Sequence, residues 1–134
     1  MNPTFESIRL AIERRLASWD GVPVEYDGAP QSPALKAAIE AKQSWVRCTI
    51  QHGDSFAPYK GDKPGIRRSG IVQCQIFTPI NSGSRPAALI ADSISEHLQF
   101  YRSGNLELLT ASAQRVGPTE GWYMYLVSVP FRAG

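Results

Sequence analysis

Residues 70–98, GIVQCQIFTPINSGSRPAALIADSISEHL, constrain the fold more tightly than any other stretch of this chain. The first part alternates. Val72, Cys74 and Ile76 fall on one side of an extended backbone and Gln73 and Gln75 on the other, since successive strand side chains point to opposite faces. The strand predicted over 71–78 ends at Pro79, and 79–84 make a Gly-containing turn. Apolar residues then recur at helical spacing: Leu89 or Ile90, Ile94, Leu98 and Tyr101 share one stripe. This predicts a helix over 85–102, stopped by Ser103-Gly104-Asn105. No catalytic residue set lies within the run.

The same alternation recurs in 45–51, WVRCTIQ, with Val46, Cys48 and Ile50 on one face and Arg47, Thr49 and Gln51 on the other. The two strands are expected to pair antiparallel, one face on a core and one polar. A first helix is predicted over 3–18, where Phe5, Ile8, Ile12, Leu16 and Trp19 follow spacings of three and four. Residues 22–26, VPVEY, read as a short strand that Pro23 places at an edge or makes irregular. A weak helix over 34–42 has Ser32-Pro33 at its start and few large apolar groups. Residues 106–116 and 122–131 read as two strands of a hairpin around 117–121. On the last, Tyr123, Tyr125, Val127, Val129 and Phe131 face one way and Trp122, Met124 and Leu126 the other. The expected fold is one α+β domain over 1–134: a small, mixed, mostly antiparallel sheet of four to five strands packed by two main helices, with a projecting loop at 53–69.

That loop, GDSFAPYKGDKPGIRRS, is too long for a tight turn, and loops of this length in compact domains are usually functional or disordered. Phe56 and Tyr59 supply apolar anchors, and Lys60, Lys63, Arg67 and Arg68 outnumber Asp54 and Asp62. Anchors ringed by charge suit a protein-contact segment; a surface hairpin accounts for the same letters.

Fourteen Lys and Arg against twelve Asp and Glu leave a net charge of +2, far from the concentrated cations of a DNA binder. No apolar run approaches the roughly 20 residues that cross a bilayer. Charges interrupt the apolar residues of the N-terminus, so it does not read as a secretory signal. A cytosolic site of synthesis is expected, and Cys48 and Cys74 read as buried free thiols. His52 and His97 have no metal-ligand spacing. Ser55, His52 and Asp54 carry the letters of a triad, but triads converge from separate elements. Asp54 and Asp62 read as turn residues. The aromatics of the last strand alternate in phase with its core residues, which argues against a base-stacking platform. No catalytic residue, metal or cofactor is expected.

The run 70–98, taken with the strand 45–51 and the closing WYMYLVSVPF, resembles the small tail-terminator-like proteins of long-tailed phages and prophages, similar to the lambda-type tail terminator, over roughly 5–131. The resemblance implies a structural protein, not an enzyme. It implies a homo-oligomeric ring, a hexamer, that caps the tail tube, stops its polymerisation and offers a surface to the head–tail connector protein. Implied partners are other copies of the chain, the tail-tube protein and the connector, with DNA only as passing cargo and no membrane. Implied locations are the host cytoplasm during assembly and then the virion tail. Within that picture Phe56, Tyr59, Lys60, Lys63, Arg67 and Arg68 are candidate contacts with a neighbour or the tube. The polar face Arg47, Thr49, Gln51, Gln73 and Gln75 is a candidate lumen lining. The alternatives are another neck or head–tail connector protein, or a small-ligand-binding or enzymatic host domain.

Overall fold

A computed structural model describes residues 2–57 and 65–134. Helix α1 (Phe5–Ala17) opens with a capping box, in which the Thr4 hydroxyl accepts from Ser7 N–H and the Ser7 side chain accepts from Thr4 N–H. Pro3 therefore lies before the helix. Ile8, Ile12 and Leu16 form its buried stripe. Strand β1 (Val24–Tyr26) leads to α2 (Pro33–Glu40), capped by Ser32 with Pro33 in the first turn, where a missing N–H costs nothing. Strands β2 (Trp45–Phe56) and β3 (Arg67–Pro79) form a long antiparallel hairpin. Helix α3 (Arg85–Leu98) follows, then β4 (Arg102–Ser103), β5 (Leu106–Leu108), β6 (Ser112–Thr119) and β7 (Trp122–Ala133).

The described residues thus form three helices and seven strands in one sheet that curls as a half-barrel. The order is β1-β2-β3-β7-β5-β4, with β6 also on β7. This corrects the expected sheet of four to five strands packed by two main helices. Three physical causes account for the difference. The predicted strand 106–116 breaks in two, because β5 pairs with the end of β7 (Leu106↔Ala133) and β6 with its beginning (Thr119↔Trp122). The predicted helix 85–102 stops at Leu98: Gln99 is extended, Phe100 adopts a φ of 63°, and the chain returns as β4. Finally, α2 is a working layer, because Leu35 and Ala38 are buried and Leu35 joins a separate cluster with Trp45, Phe77 and Met124.

The hairpin is also longer than its alternating letters indicate. β2 and β3 stay paired through an irregularity between His52 and Ser55, out to Phe56↔Arg67. Residues 53–56 and 67–69 of the expected loop are therefore strand. Twelve residues of β2 extend roughly 36 Å at about 3.3 Å per residue, whereas burial ends near Cys48.

The register sets the two faces of the sheet. Val46, Cys48 and Ile50 oppose Ile76, Cys74 and Val72, which oppose Tyr125, Val127 and Val129. These rows, with Ile8, Ile12, Leu16, Ala87, Ala91, Ile94 and Leu98 of the helices, form the main core. Gly70 sits where β3 crosses between Gln51 and Phe131, and a methyl added there would fall onto the Gln51 carbonyl and the Phe131 ring. A side chain at this position would prise the strands apart. At the hairpin between β6 and β7, Glu120 and Gly121 both have positive φ, as a two-residue type I′ turn requires.

Candidate interaction surface

The opposite face of the sheet is different. Trp45, Phe77, Met124 and Trp122 gather at one end under α2, with the Trp45 and Phe77 rings stacked at 4.2 Å. Beyond them no helix covers the sheet among the described residues. Arg47 opposes Gln75, Thr49 opposes Gln73, and Gln51 opposes Ile71. The row continues through Gln73↔Ser128 and Ser128↔Ser112, and through Gln75↔Leu126 and Leu126↔Gln114. All five residues of the candidate polar face therefore lie on one surface, and Ser128, Ser112 and Gln114 extend it. The alternation of the last strand, carried past Leu126, is the signal that would have added Ser128. Ser112 and Gln114 needed the pairing of β6.

Arg47 marks the boundary between the two parts of this face. Its guanidinium donates to Glu25 at 2.8 Å and lies over the Trp45 and Phe77 rings at 5.2 and 5.4 Å. Glu25 also accepts from Gln31, so the open face gains a small polar network at the β1 margin.

The candidate contacts of the loop divide. Tyr59, Lys60 and Lys63 lie outside the described residues. Phe56 and Arg67 face each other at the end of the hairpin, and Phe56 is 56% exposed. Arg68 is engaged within the fold. Its Nε donates to the Pro3 carbonyl at 2.9 Å, one terminal nitrogen donates to the Ser55 hydroxyl at 2.9 Å, and the guanidinium lies 4.1 Å from the Phe5 ring centroid. It ties the start of α1 to the hairpin and is a structural clamp. Phe56 and Arg67, together with Arg68, border a cleft of about 510 Å³ with Glu107, Arg132 and Gly134. Glu107 accepts from Arg132 and Arg102, both at 3.0 Å, and these contacts hold its carboxyl below the usual carboxylate range.

Among the described residues the groups that could do chemistry do not converge. His97 Nε2 lies 2.7 Å from the Arg15 carbonyl oxygen, which can only accept, so that nitrogen carries the proton. Arg15 in turn donates to the His97 carbonyl at 2.8 Å and lies over Tyr101, locking α1 to α3. His52 packs edge-on to Phe5 and Phe131, while the Ser55 hydroxyl accepts from Arg68. Cys48 and Cys74 are opposed, buried and free. The hydrogen bond to Cys74 and burial both push the Cys48 thiol up. Among the described residues no group of three His, Cys, Asp or Glu is placed to hold a metal, and no helix is long and apolar enough to cross a membrane.

No protein-family model matches the chain, and no curated protein does. One solved structure, which carries an identifier in place of a functional name, is similar over 98% of this chain and 96% of its own, with a TM-score of 0.70 and 20% sequence identity. At that identity the likeness is one of fold.

Proposed function

We propose that this chain is a structural subunit of a phage or prophage tail, a tail terminator that forms a ring on the end of the tail tube, halts its polymerisation and presents the surface to which the head connector attaches. The observation that carries the reading is the uncovered polar band of Arg47, Thr49, Gln51, Gln73, Gln75 and Ser128 running across three neighbouring strands. A sheet closed by helices on one face and left polar on the other suits a subunit whose second face lines a wet channel. The amides and hydroxyls there are neutral and Arg47 is paired with Glu25, which lets DNA pass without being held, since phosphate affinity comes from concentrated cations. The resemblance of 70–98 falls on β3, the turn and α3, and WYMYLVSVPF falls on β7, so it covers the central strands of the sheet and a helix of the main core. In this reading the subunit assembles in the host cytoplasm, ends in the virion tail, and works without an active site.

The test is tube growth. Purified tail-tube protein is polymerised with and without this chain and tube lengths are measured by electron microscopy. Short tubes bearing stoichiometric caps are expected. Tubes of unchanged length and bare ends would contradict the reading; binding to the head connector without capping would assign the chain to the neck instead.

A further inference from the structure

Two of the sheet's open strand edges lie at opposite margins, on β2 and on β6. β1 accompanies β2 only from Val24↔Val46 to Tyr26↔Cys48. Past Cys48 no described strand lies along the outer side of β2. Val46 N–H donates to the Pro23 carbonyl across that side at 3.0 Å. Backbone groups alternate along a strand, so the N–H groups of Ile50 and His52 face the same open side. At the other margin β6 pairs, among the described residues, only with β7, and Ser112 through Val116 are exposed. Long open edges invite another strand, and proteins usually blunt them. On β6 the blunting devices, an irregularity at Val116 and Pro118, come after the first four residues.

We propose that copies of this chain join head to tail, β6 of one pairing antiparallel along the open edge of β2 in the next, with Arg115 of the first seated among carboxylates beside that edge. Direction, facing and charge agree. The pairings β2/β3, β3/β7 and β7/β6 are all antiparallel, and three reversals make β6 run opposite to β2. A second copy in the same sheet orientation therefore brings its β6 antiparallel to β2. Arg115 opposes Tyr125, which opposes Ile76, which opposes Val46, so Arg115 is on the helix side of the sheet. On that same side, Cys48, Ile50 and His52 line a hollow of about 320 Å³ whose other walls include Glu6, Arg9, Glu13 and Asp27.

Three carboxylates meet one guanidinium in that hollow. Arg9 is engaged by Glu6 and Glu13, and Asp27 has no ion-pair partner among the described residues. Arg115, for its part, lies over its own Tyr123 ring at 5.8 Å and has no carboxylate beside it among the described residues. A cation without a counter-ion at one edge and an acidic hollow at the other make a heterologous contact, which closes into a ring when the rotation per copy divides a full turn. The inference rests on the proposed ring for its closure only.

Sedimentation of the full chain over a wide concentration range tests this, using wild type, Arg115→Glu, Asp27→Arg and the double variant. Wild type is expected to self-associate. Each single reversal weakens association by about tenfold or more, since like charges across an interface are costly, and the double variant restores it. Overturning results are a wild type that stays monomeric, single reversals that associate unchanged, or a double variant that melts like wild type and stays dissociated. Hydrogen exchange on wild type gives an independent reading. The Ile50 and His52 amides should gain protection at associating concentrations, and no gain overturns the proposal. Tubes capped by the dissociated single variants would sink this interface and leave the terminator reading standing. Association through these edges with tubes uncapped would support the interface and sink the terminator.

Discussion

The two faces of one sheet differ in almost everything but their backbone. On the helix side, Val46, Cys48, Val72, Cys74, Ile76, Val127 and Val129 are each no more than 2% exposed. One residue along in each strand, Arg47, Thr49, Gln73, Gln75 and Ser128 are half-buried and polar, with no helix above them among the described residues. The lesson is about where selection for folding ends. The first face must exclude water to hold the fold together. The second is free to be polar, and its chemistry is available to the surroundings.

Substitutions that respect or violate this division should separate sharply. Ile94→Ala, at the centre of the closed face and fully buried, is expected to cost about 2–5 kcal/mol by denaturant unfolding, the range for cavities left by buried aliphatic side chains. A cost below about 1 kcal/mol would mean that the helix layer is not packed as described. Gly70→Ala, which pushes a methyl onto the Gln51 carbonyl and the Phe131 ring, should destabilise by about 1–3 kcal/mol through overpacking. A neutral outcome would show that β2, β3 and β7 are not in close register there.

The Cys48 thiol gives a pH dependence of intermediate size. Its folded pKa is raised by the bond to Cys74 and by burial, so the thiol stays protonated in the fold, while in the unfolded chain it ionises near about pH 8.5. Above that pH the unfolded state binds fewer protons than the folded one, so stability falls as pH rises. Urea unfolding at pH 7 and pH 10 should show the decline, and Cys48→Ala should reduce it; an identical slope in the variant would place the cause elsewhere. The smallest effect belongs to the open face. Gln73→Ala and Gln75→Ala together should leave unfolding within about 0.5 kcal/mol per site of wild type, as substitutions away from the packed core do, while changing assembly or tube capping. A large loss of stability would make this face a core surface awaiting cover within the monomer.

The sequence made the closed face legible and left the open edges obscure. Alternation at Val46, Cys48 and Ile50 and at Val72, Cys74 and Ile76 is a period-two signal strong enough to place both strands and their polar sides. It stops where burial stops, so the letters do not mark the pairing of β2 and β3 out to Phe56↔Arg67, and 53–69 reads as one loop. A strand that changes partners leaves no mark on its letters, which is why β5 and β6 looked continuous. Helix α2 reads as weak because Leu35 is matched not only by nearby Trp45 but by Phe77 and Met124, distant in sequence. Arg68 looked like a surface contact for the same reason, since its acceptor on Pro3 lies 65 residues away. Phe56 and Arg67 pair at the end of the hairpin rather than within a loop, and Arg47 is half packing residue and half rim.

The most direct test of the account is an electron cryomicroscopy map of this chain bound to the end of a tail tube. A closed ring with Gln73, Gln75 and Ser128 facing the channel, and α1 and α3 outside it, is the predicted result. A ring with the helices facing the channel, or tube ends carrying no ring at all, would contradict it.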